Sequence, residues 1–244
     1  MKFLRRALLM CLAISFISCA HTQTITERDA LPKASFVKVK ALIRQPDCSS
    51  GNMCGWKVTG GLSSGVIIKR DQSGSYVLGA EHVCRIQDRE KTPNVSVRFT
   101  VIGDDGNEYL AIILVADRKN DLCVFHVKGM LQGDVVEMRK TPPEFGEKVY
   151  NLASPLGSAY PPDVIPVFIG HYSGFKAGLD VYTIPAKGGS SGSPIVDTKG
   201  RLVGILIGHL RGFNNISVSP KFSFIKRIVD DILSEKYSVG GNND

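Results

Sequence analysis

Apolar and polar residues alternate along most of the chain in short runs bounded by turn-forming residues. Val95–Gly103, Glu108–Asp117 and Val164–Gly170 have the length and the borders of β-strands. Two further runs flank a turn at Asp71–Ser75, and the run DLCVFHV, which begins at Asp121, alternates in the same way. The pattern therefore predicts an all-β body.

Helical spacing is confined to the C-terminal part of the chain. After Ser219-Pro220, a plausible cap and first turn, apolar pairs recur three to four residues apart, at Phe224/Ile225, Ile228/Val229 and Ile232/Leu233. The spacing predicts a helix at about 220–237 with its apolar stripe packed on the core. The proline-rich segment 139–147 would connect two β units, at about 35–137 and 148–219, and residues 238–244 would form a flexible tail.

The N-terminal residues have the pattern of an export signal. Lys2, Arg5 and Arg6 precede the apolar run Ala7–Ile17, which as a helix spans about 16 Å, half of a bilayer core. Residues 16–19 (FISC) resemble a bacterial lipobox, so residues 1–19 are expected to be a lipoprotein signal with Cys19 as the lipidated residue. Residues 20–34 would then be a polar tether to the membrane. Ordinary cleavage at Ala20, which would release a secreted soluble protein, is the alternative.

The charge balance gives no case for a nucleic-acid partner. The whole chain carries a formal charge of +7. Without Lys2, Arg5 and Arg6 about +4 remains, from 27 basic and 23 acidic residues. These charges are interspersed and form no basic stripe.

The segment GGSSGSP, residues 188–194, is the strongest candidate for chemistry. A serine hydroxyl becomes a nucleophile when a base takes its proton and donors receive the oxyanion. A tight glycine turn lets backbone N–H groups converge, here those of Gly189 and Ser191. A flexible linker is the plainer interpretation of this composition. The segment also fits the G-x-S-x-G elbow of α/β-hydrolases around Ser190. The only histidine after Ser190 is His209 and the only acid between them is Asp197, which leaves too little chain for the strands and helices of that fold.

Two upstream motifs set this serine in context. SSGVII (63–68) precedes GAEHV around His82, and DRKNDLCVFHV contains Asp121. With GGSSGSP and the stretch EKVYNLASPLG…VFIGHYSG, they resemble the trypsin-like serine proteases over residues 35–237. The similarity is to the short bacterial kind related to the HtrA-type and glutamyl endopeptidase groups. No PDZ module is expected after the helix.

The resemblance implies a fold, a mechanism and a serine endopeptidase activity. The fold would be two six-stranded antiparallel β-barrels (chymotrypsin-like) followed by a C-terminal α-helix. Ser191 would attack the peptide carbonyl, His82 would act as the base, and Asp121 would orient and stabilise the imidazole. The N–H groups of Gly189 and Ser191 would form the oxyanion hole. No cofactor is implied, and the partner would be a protein or peptide substrate.

Two departures from the family pattern limit what the resemblance implies. Ser190 stands where digestive trypsins carry an acid that pairs with a new N-terminus, so activation by N-terminal insertion is not expected. Glu81 lies beside His82, and strand alternation would direct the two side chains different ways.

The substrate pocket of this fold is lined by the segment before the nucleophile and the strand after it. Leu206 stands where glutamyl endopeptidases carry a histidine, and no acid takes the place of the trypsin pocket carboxylate. A small or medium apolar residue is therefore the expected cleavage preference, although His209 could reach the pocket. The candidate pocket residues are Ile184, Pro185, Ala186, Leu206, Ile207, Gly208 and His209.

The remaining cysteines are consistent with an oxidising compartment. Cys48 and Cys54 bracket a short loop, and a disulfide between them would stabilise the fold by about 2.4 kcal/mol. Cys84 and Cys123 lie two residues after His82 and Asp121, so they could pair or remain buried thiols. The spacings do not suit zinc.

Two other functions remain open at this point. The fold could be kept as a catalytically silent or ligand-gated domain that binds peptides. It could also be a protease dedicated to self-cleavage or to a single substrate.

Overall fold

The computed structural model describes residues 30–48, 54–157 and 164–237. The predicted signal peptide with Cys19, the first part of the tether and the tail at 238–244 lie outside the described residues. Among the residues that are described, no helix is long and apolar enough to cross a membrane.

The first half of the chain forms a closed antiparallel barrel of six strands, in the order β1-β2-β3-β6-β5-β4. Its interior is a cluster of buried side chains that includes Val39, Val77, Val101 and Phe125. The alternation in β1 explains why this barrel forms, because Val37, Val39, Ala41 and Ile43 share one face and are buried. The strands are β1 Phe36–Asp47, β2 Gly55–Asp71, β3 Gly74–Ala80, β4 Ser96–Ile102, β5 Glu108–Asp117 and β6 Leu122–Val127.

A short helix, α1 (Glu81–Cys84), follows β3 and continues as a 3-10 helix at Arg85–Lys91. A second 3-10 turn at Lys33–Ser35 leads into β1. Helix α1 therefore places residue 82 directly after the end of barrel strand β3.

The second half forms a seven-stranded antiparallel sheet in the order β11-β10-β7-β8-β9-β13-β12. Its two edge strands, β11 and β12, are consecutive in the chain and separated only by residues 206–207. A buried cluster that includes Val149, Tyr182, Ile195 and Val203 fills one side of it. The strands are β7 Lys148–Leu152, β8 Val167–Lys176, β9 Leu179–Tyr182, β10 Pro194–Val196, β11 Leu202–Ile205, β12 Gly208–Leu210 and β13 Phe213–Pro220.

Helix α2 (Phe222–Leu233) closes the described chain and packs against both halves. Ile225, Ile228 and Ile232 join the largest buried cluster, which also contains Leu78 of β3 and Ile205 of β11. The helix begins at a buried carboxylate, because Asp180 Oδ2 accepts the Phe222 N–H at 2.7 Å. Burial raises the pKa of Asp180, although this hydrogen bond acts in the opposite direction.

The prediction of a mostly β chain with a C-terminal helix is confirmed. The first barrel has the six strands expected, whereas the second half pairs as seven. The difference arises because the stretch 202–210 bends at residues 206–207 and so contributes two separate strands, one to each edge. The strand expected at Val164–Gly170 begins at Val167 and continues to Lys176, because β8 also pairs with β9. The predicted limits of the domains, the tether and the tail stay predictions.

Candidate active site

The structure brings His82, Asp121 and Ser191 together from three different elements. His82 lies in α1, Asp121 immediately precedes β6, and Ser191 lies in the loop between β9 and β10. His82 Nε2 is 2.9 Å from Ser191 Oγ, and His82 Nδ1 is 2.9 Å from Asp121 Oδ2. The side chains are 39% (His82) and 25% (Asp121) exposed, so the site is open to solvent.

Backbone contacts hold Asp121 against the start of α1. The His82 N–H donates to Asp121 Oδ1 at 2.8 Å, and the Glu81 N–H donates to the Asp121 carbonyl at 3.2 Å. Asp121 itself has φ +53°, a left-handed conformation that is uncommon outside glycine. The conformation is therefore maintained by its surroundings, and it directs the carboxylate toward the imidazole.

The loop around Ser191 depends on two glycines with positive φ. Gly189 has φ +95° and Gly192 has φ +85°. A Cβ at residue 189 would lie 2.4 Å from the Ser154 carbonyl oxygen, and one at residue 192 would lie 2.2 Å from that of Ser64. Among the described residues, the N–H groups of Gly189 and Ser191 have no protein acceptor. These are the two donors that the sequence predicted for an oxyanion.

Ser64, to which the sequence assigned no role, connects the first barrel to this loop. Its hydroxyl donates to the Gly189 carbonyl at 2.9 Å and accepts the Ser154 N–H at 3.0 Å. Its own N–H donates to the Ser191 carbonyl at 2.9 Å. Because its partners lie about 90 or more residues away, only its position in the motif SSGVII could have drawn attention to it.

Glu81 is directed away from His82, into the protein. The alternation argument assumed a strand here, but both residues lie in α1. The Glu81 side chain is 1% exposed and forms ion pairs with Arg85 and with Arg118, the latter at 3.3 Å. The hydrogen bonds that the Arg85 guanidinium donates to the Glu81 carboxylate raise the pKa of Arg85. Glu81 thus connects α1 to the segment that precedes Asp121.

The structure joins Cys48 to Cys54 and Cys84 to Cys123 by disulfide bonds. The first was the pairing expected from the sequence. The second, which the sequence left open, connects α1 to β6 directly behind His82 and Asp121. Both cysteines of the second bridge are buried.

The candidate pocket residues divide into a buried group and an accessible group. Ile184, Ala186 and Leu206 are buried in the cluster beneath the second sheet. Pro185, Ile207 and Gly208 are half-buried, and His209 is exposed on the edge strand β12. Of the predicted set, only this second group can touch a ligand without a rearrangement.

Two further histidines of the described residues, His126 and His171, lie on strands of the two sheets. His126 of β6 is 3% exposed and packs edge-on against Tyr76, and burial lowers its pKa. His171 is exposed on β8. No group of three or more His, Cys, Asp or Glu residues in the described chain has the geometry of a metal site.

Comparison with known proteins identifies relatives by sequence and by fold. Two curated proteins from strains of Staphylococcus epidermidis, both named "Serine protease HtrA-like", are 28% identical to the chain over 163 residues. The match covers 59% of this chain but only 26% of each relative, so the chain spans about a quarter of their length.

A solved structure, that of the serine endoprotease from Yersinia pestis, has a similar fold. It superposes with a TM-score of 0.63 at 18% identity and covers 87% of this chain and 68% of that one. At 18% identity, this similarity shows a shared fold and nothing more. The model of the trypsin-like peptidase domain matches residues 63–205, more than half of the chain. This range includes all three residues of the candidate site, and the chain therefore belongs to the trypsin-like peptidase family.

Proposed function

We propose that this protein is a serine endopeptidase that hydrolyses peptide bonds with Ser191, His82 and Asp121. The observation that carries the proposal is the unbroken chain of hydrogen bonds from Ser191 Oγ through the imidazole to the Asp121 carboxylate. Family membership supports it independently.

In this mechanism the His82 imidazole first accepts a proton and then donates it. His82 Nε2 takes the Ser191 proton as Oγ attacks the substrate carbonyl, and then gives it to the departing amine. The acyl-enzyme that remains is hydrolysed by a water that His82 deprotonates in the same way, and the proton passes to Ser191 Oγ as the acyl–oxygen bond breaks. Asp121 holds Nδ1–H toward itself and stabilises the imidazolium. The N–H groups of Gly189 and Ser191 receive the charge that develops on the carbonyl oxygen.

Cleavage preference is proposed from the accessible pocket residues. Pro185, Ile207 and Gly208 are half-buried and uncharged, which favours a small or medium apolar side chain before the scissile bond. The exposed His209 lies one residue beyond Gly208.

We further propose that the second sheet closes into a barrel through residues 206–207, since these residues join its two edge strands.

We also propose that the enzyme acts outside the cytoplasm, attached to a membrane through Cys19. The two disulfides support an oxidising compartment. Metabolic labelling with a fatty-acid analogue tests the anchor, and incorporation that is lost in Cys19→Ala supports it. Release of an unlabelled protein that begins after Ala20 would contradict it.

The activity is tested by labelling the protein from residue 20 with a fluorophosphonate probe. Wild type should be labelled at Ser191, as located by mass spectrometry, and Ser191→Ala and His82→Ala should not be. Ser190→Ala is the matched control, because Ser190 is buried and its Oγ lies 3.4 Å from the Lys187 backbone nitrogen. A folded wild type that stays unlabelled would contradict the proposal and leave a ligand-gated enzyme or a peptide-binding domain.

A further inference from the structure

An open cavity of about 780 Å³ lies between helix α2 and the second sheet. Its walls come from residues 142–143 of the connecting segment, from β8 and β9, and from residues 221–231. We name it the α2 cavity. None of the three candidate active-site residues lines it. Small-molecule sites usually have volumes of about 300–1,000 Å³, so the α2 cavity is large enough for a ligand of its own.

Proline and aromatic side chains make the walls of the α2 cavity mainly apolar. They are Pro142, Pro143, Tyr172, Phe175 and Phe222. Tyr172 packs against Tyr182 with the ring centres 5.3 Å apart, and Phe222 is buried, so this part of the wall is held in place. Phe175, by contrast, is 52% exposed. An exposed aromatic ring beside a concavity favours a ligand with an apolar body.

The buried carboxylate of Asp180 borders the α2 cavity but is already hydrogen-bonded. The Tyr172 hydroxyl donates to Oδ1 at 3.1 Å, and the Phe222 N–H donates to Oδ2. Burial raises the pKa of Asp180, while these hydrogen bonds and the charge of Lys221 act in the opposite direction. Burial and the neighbouring carboxyl raise the pKa of Tyr172 to about 12, so its hydroxyl remains a donor at neutral pH. Both carboxylate oxygens of Asp180 are therefore occupied, which disfavours a cationic ligand.

Apart from Asp180 and Lys221, the charged side chains at the α2 cavity have partners of opposite charge. Lys226 pairs with Asp230 at 2.7 Å, Asp231 with Lys236 at 3.1 Å, and Arg227 with Asp117 at 3.7 Å. The Lys221 ammonium instead lies 4.9 Å from the centre of the Phe175 ring. Among the described residues, no carboxylate oxygen lies within 4.0 Å of this ammonium. One positive charge is therefore available at the cavity, beside its exposed aromatic ring.

We propose that the α2 cavity binds a small apolar monocarboxylate, with its carboxylate at Lys221 Nζ and its apolar body along Phe175 and the two prolines. The charges decide the class of ligand. One available ammonium matches a single carboxylate, whereas a second negative charge would have no partner at a cavity that also carries Asp180 and Asp230. An apolar cation would be repelled by Lys221.

Such a ligand would contact three parts of the fold at once: the connecting segment, the second sheet and α2. Helix α2 packs against both halves of the molecule through Ile225, Ile228 and Ile232. A ligand that binds the folded chain and not the unfolded chain stabilises the fold by mass action. Octanoate, a simple member of the class, should therefore raise the melting temperature progressively as its concentration increases.

The first test is isothermal titration calorimetry of the protein from residue 20 with octanoate, octan-1-ol and octylammonium. Octanoate should saturate at one molecule per chain and bind at least about fivefold more tightly than octan-1-ol, because it gains one charge-assisted contact. Octylammonium should not bind measurably. Lys221→Met keeps an unbranched apolar side chain but removes the charge, so the octanoate-to-octanol affinity ratio should fall to about one.

Lys199→Met is the matched control, because Lys199 is an exposed lysine between β10 and β11 and does not line the α2 cavity. It should keep the wild-type affinity ratio. Phe175→Ser removes the ring beside Lys221 and should weaken octanoate and octan-1-ol alike, by at least about fivefold. Circular dichroism of each variant separates loss of the binding site from unfolding.

A second test locates the ligand with an aliphatic carboxylate that carries a photoreactive diazirine. Mass spectrometry should find the label at residues 142–143, 172–175 or 221–227. An excess of octanoate should prevent this labelling, because the two compounds would compete for one site.

The outcomes decide the inference independently of the proposed function. Equal affinities of wild type for octanoate and octan-1-ol, or an unchanged ratio in Lys221→Met, would overturn it, as would labels confined to other segments. Binding to vesicles of anionic phospholipid without binding of octanoate would show that these residues contact a lipid surface instead, which also contradicts it. Fluorophosphonate labelling bears on the proposed function alone, since Ser191, His82 and Asp121 do not line the α2 cavity.

Discussion

Gly189 has a backbone conformation that only glycine adopts without strain, and its N–H is a proposed oxyanion donor. Its φ of +95° would strain the backbone of any residue that has a side chain. A Cβ here would also meet the Ser154 carbonyl oxygen and the backbone nitrogens of Leu156 and Gly157. The same peptide carries the N–H proposed to receive the oxyanion. Glycine is needed here because the loop lies directly against another turn.

Gly189→Ala should therefore lower the rate of fluorophosphonate labelling by about 100- to 1,000-fold, the usual effect of losing one oxyanion donor. Gly146→Ala is the matched control, since Gly146 has φ +79° but a Cβ added there would have no neighbouring atom within 4 Å. Circular dichroism of both variants separates misfolding from loss of activity. Labelling of folded Gly189→Ala at the wild-type rate would contradict the role given to this N–H.

At the scale of elements, side chains hold α1 against β6 and against the segment before it, in addition to the backbone hydrogen bonds at Asp121. The Cys84–Cys123 disulfide connects α1 to β6, and the ion pair of Glu81 with Arg118 connects α1 to the segment before β6. Arg118 also pairs with Asp88 at 2.6 Å, and Asp88, hydrogen-bonded to Lys91 as well, has a lowered pKa. Helix α1 carries His82, and Asp121 lies between Arg118 and β6. These connections therefore hold the imidazole and the carboxylate near each other.

Glu81→Gln should lower the free energy of unfolding by about 1–2 kcal/mol, because a buried carboxylate loses its charge-assisted hydrogen bonds with Arg85 and its ion pair with Arg118. Glu235→Gln is the control, since that carboxylate is 75% exposed and pairs with Lys69 at 3.4 Å. Its effect should stay below about 0.5 kcal/mol. Urea denaturation measures both, and equal effects would show that the buried Glu81 pairs contribute no more than a surface pair.

At the scale of the whole molecule, the candidate site exists only where the two halves meet. His82 and Asp121 come from the first barrel, and Ser191 comes from the second sheet. Ser64 of β2 reaches from the first half to the second and holds both Gly189 and Ser154. The position of the loop that carries Ser191 therefore depends on the packing of the halves.

Ser64→Ala should lower kcat by about tenfold with a smaller change in KM, because the loop that carries the proposed oxyanion donors loses its fixed position. Ser63→Ala is the matched control: Ser63 is also buried, but its hydroxyl donates to the Val39 carbonyl inside the first barrel. Steady-state kinetics on one peptide compares the two variants. Equal losses in both would mean that Ser64 acts through general stability only.

The sequence by itself determined the features that depend on residues close together in the chain. Period-2 alternation located the strands, apolar pairs at helical spacing located α2, and a loop of a few residues predicted the Cys48–Cys54 bridge. The order of His82, Asp121 and Ser191 in their motifs was enough to suggest the family and the site.

The tertiary structure alone decided the contacts between residues distant in the chain. The bonds of Ser64 to Gly189, the pairing of Glu81 with Arg118, the Cys84–Cys123 bridge and the α2 cavity all depend on which segments become neighbours. Local patterns cannot specify this, because a strand has the same alternation whether one or both of its edges are paired. The partner of each edge is set by the closing of the barrel and the packing of the two halves.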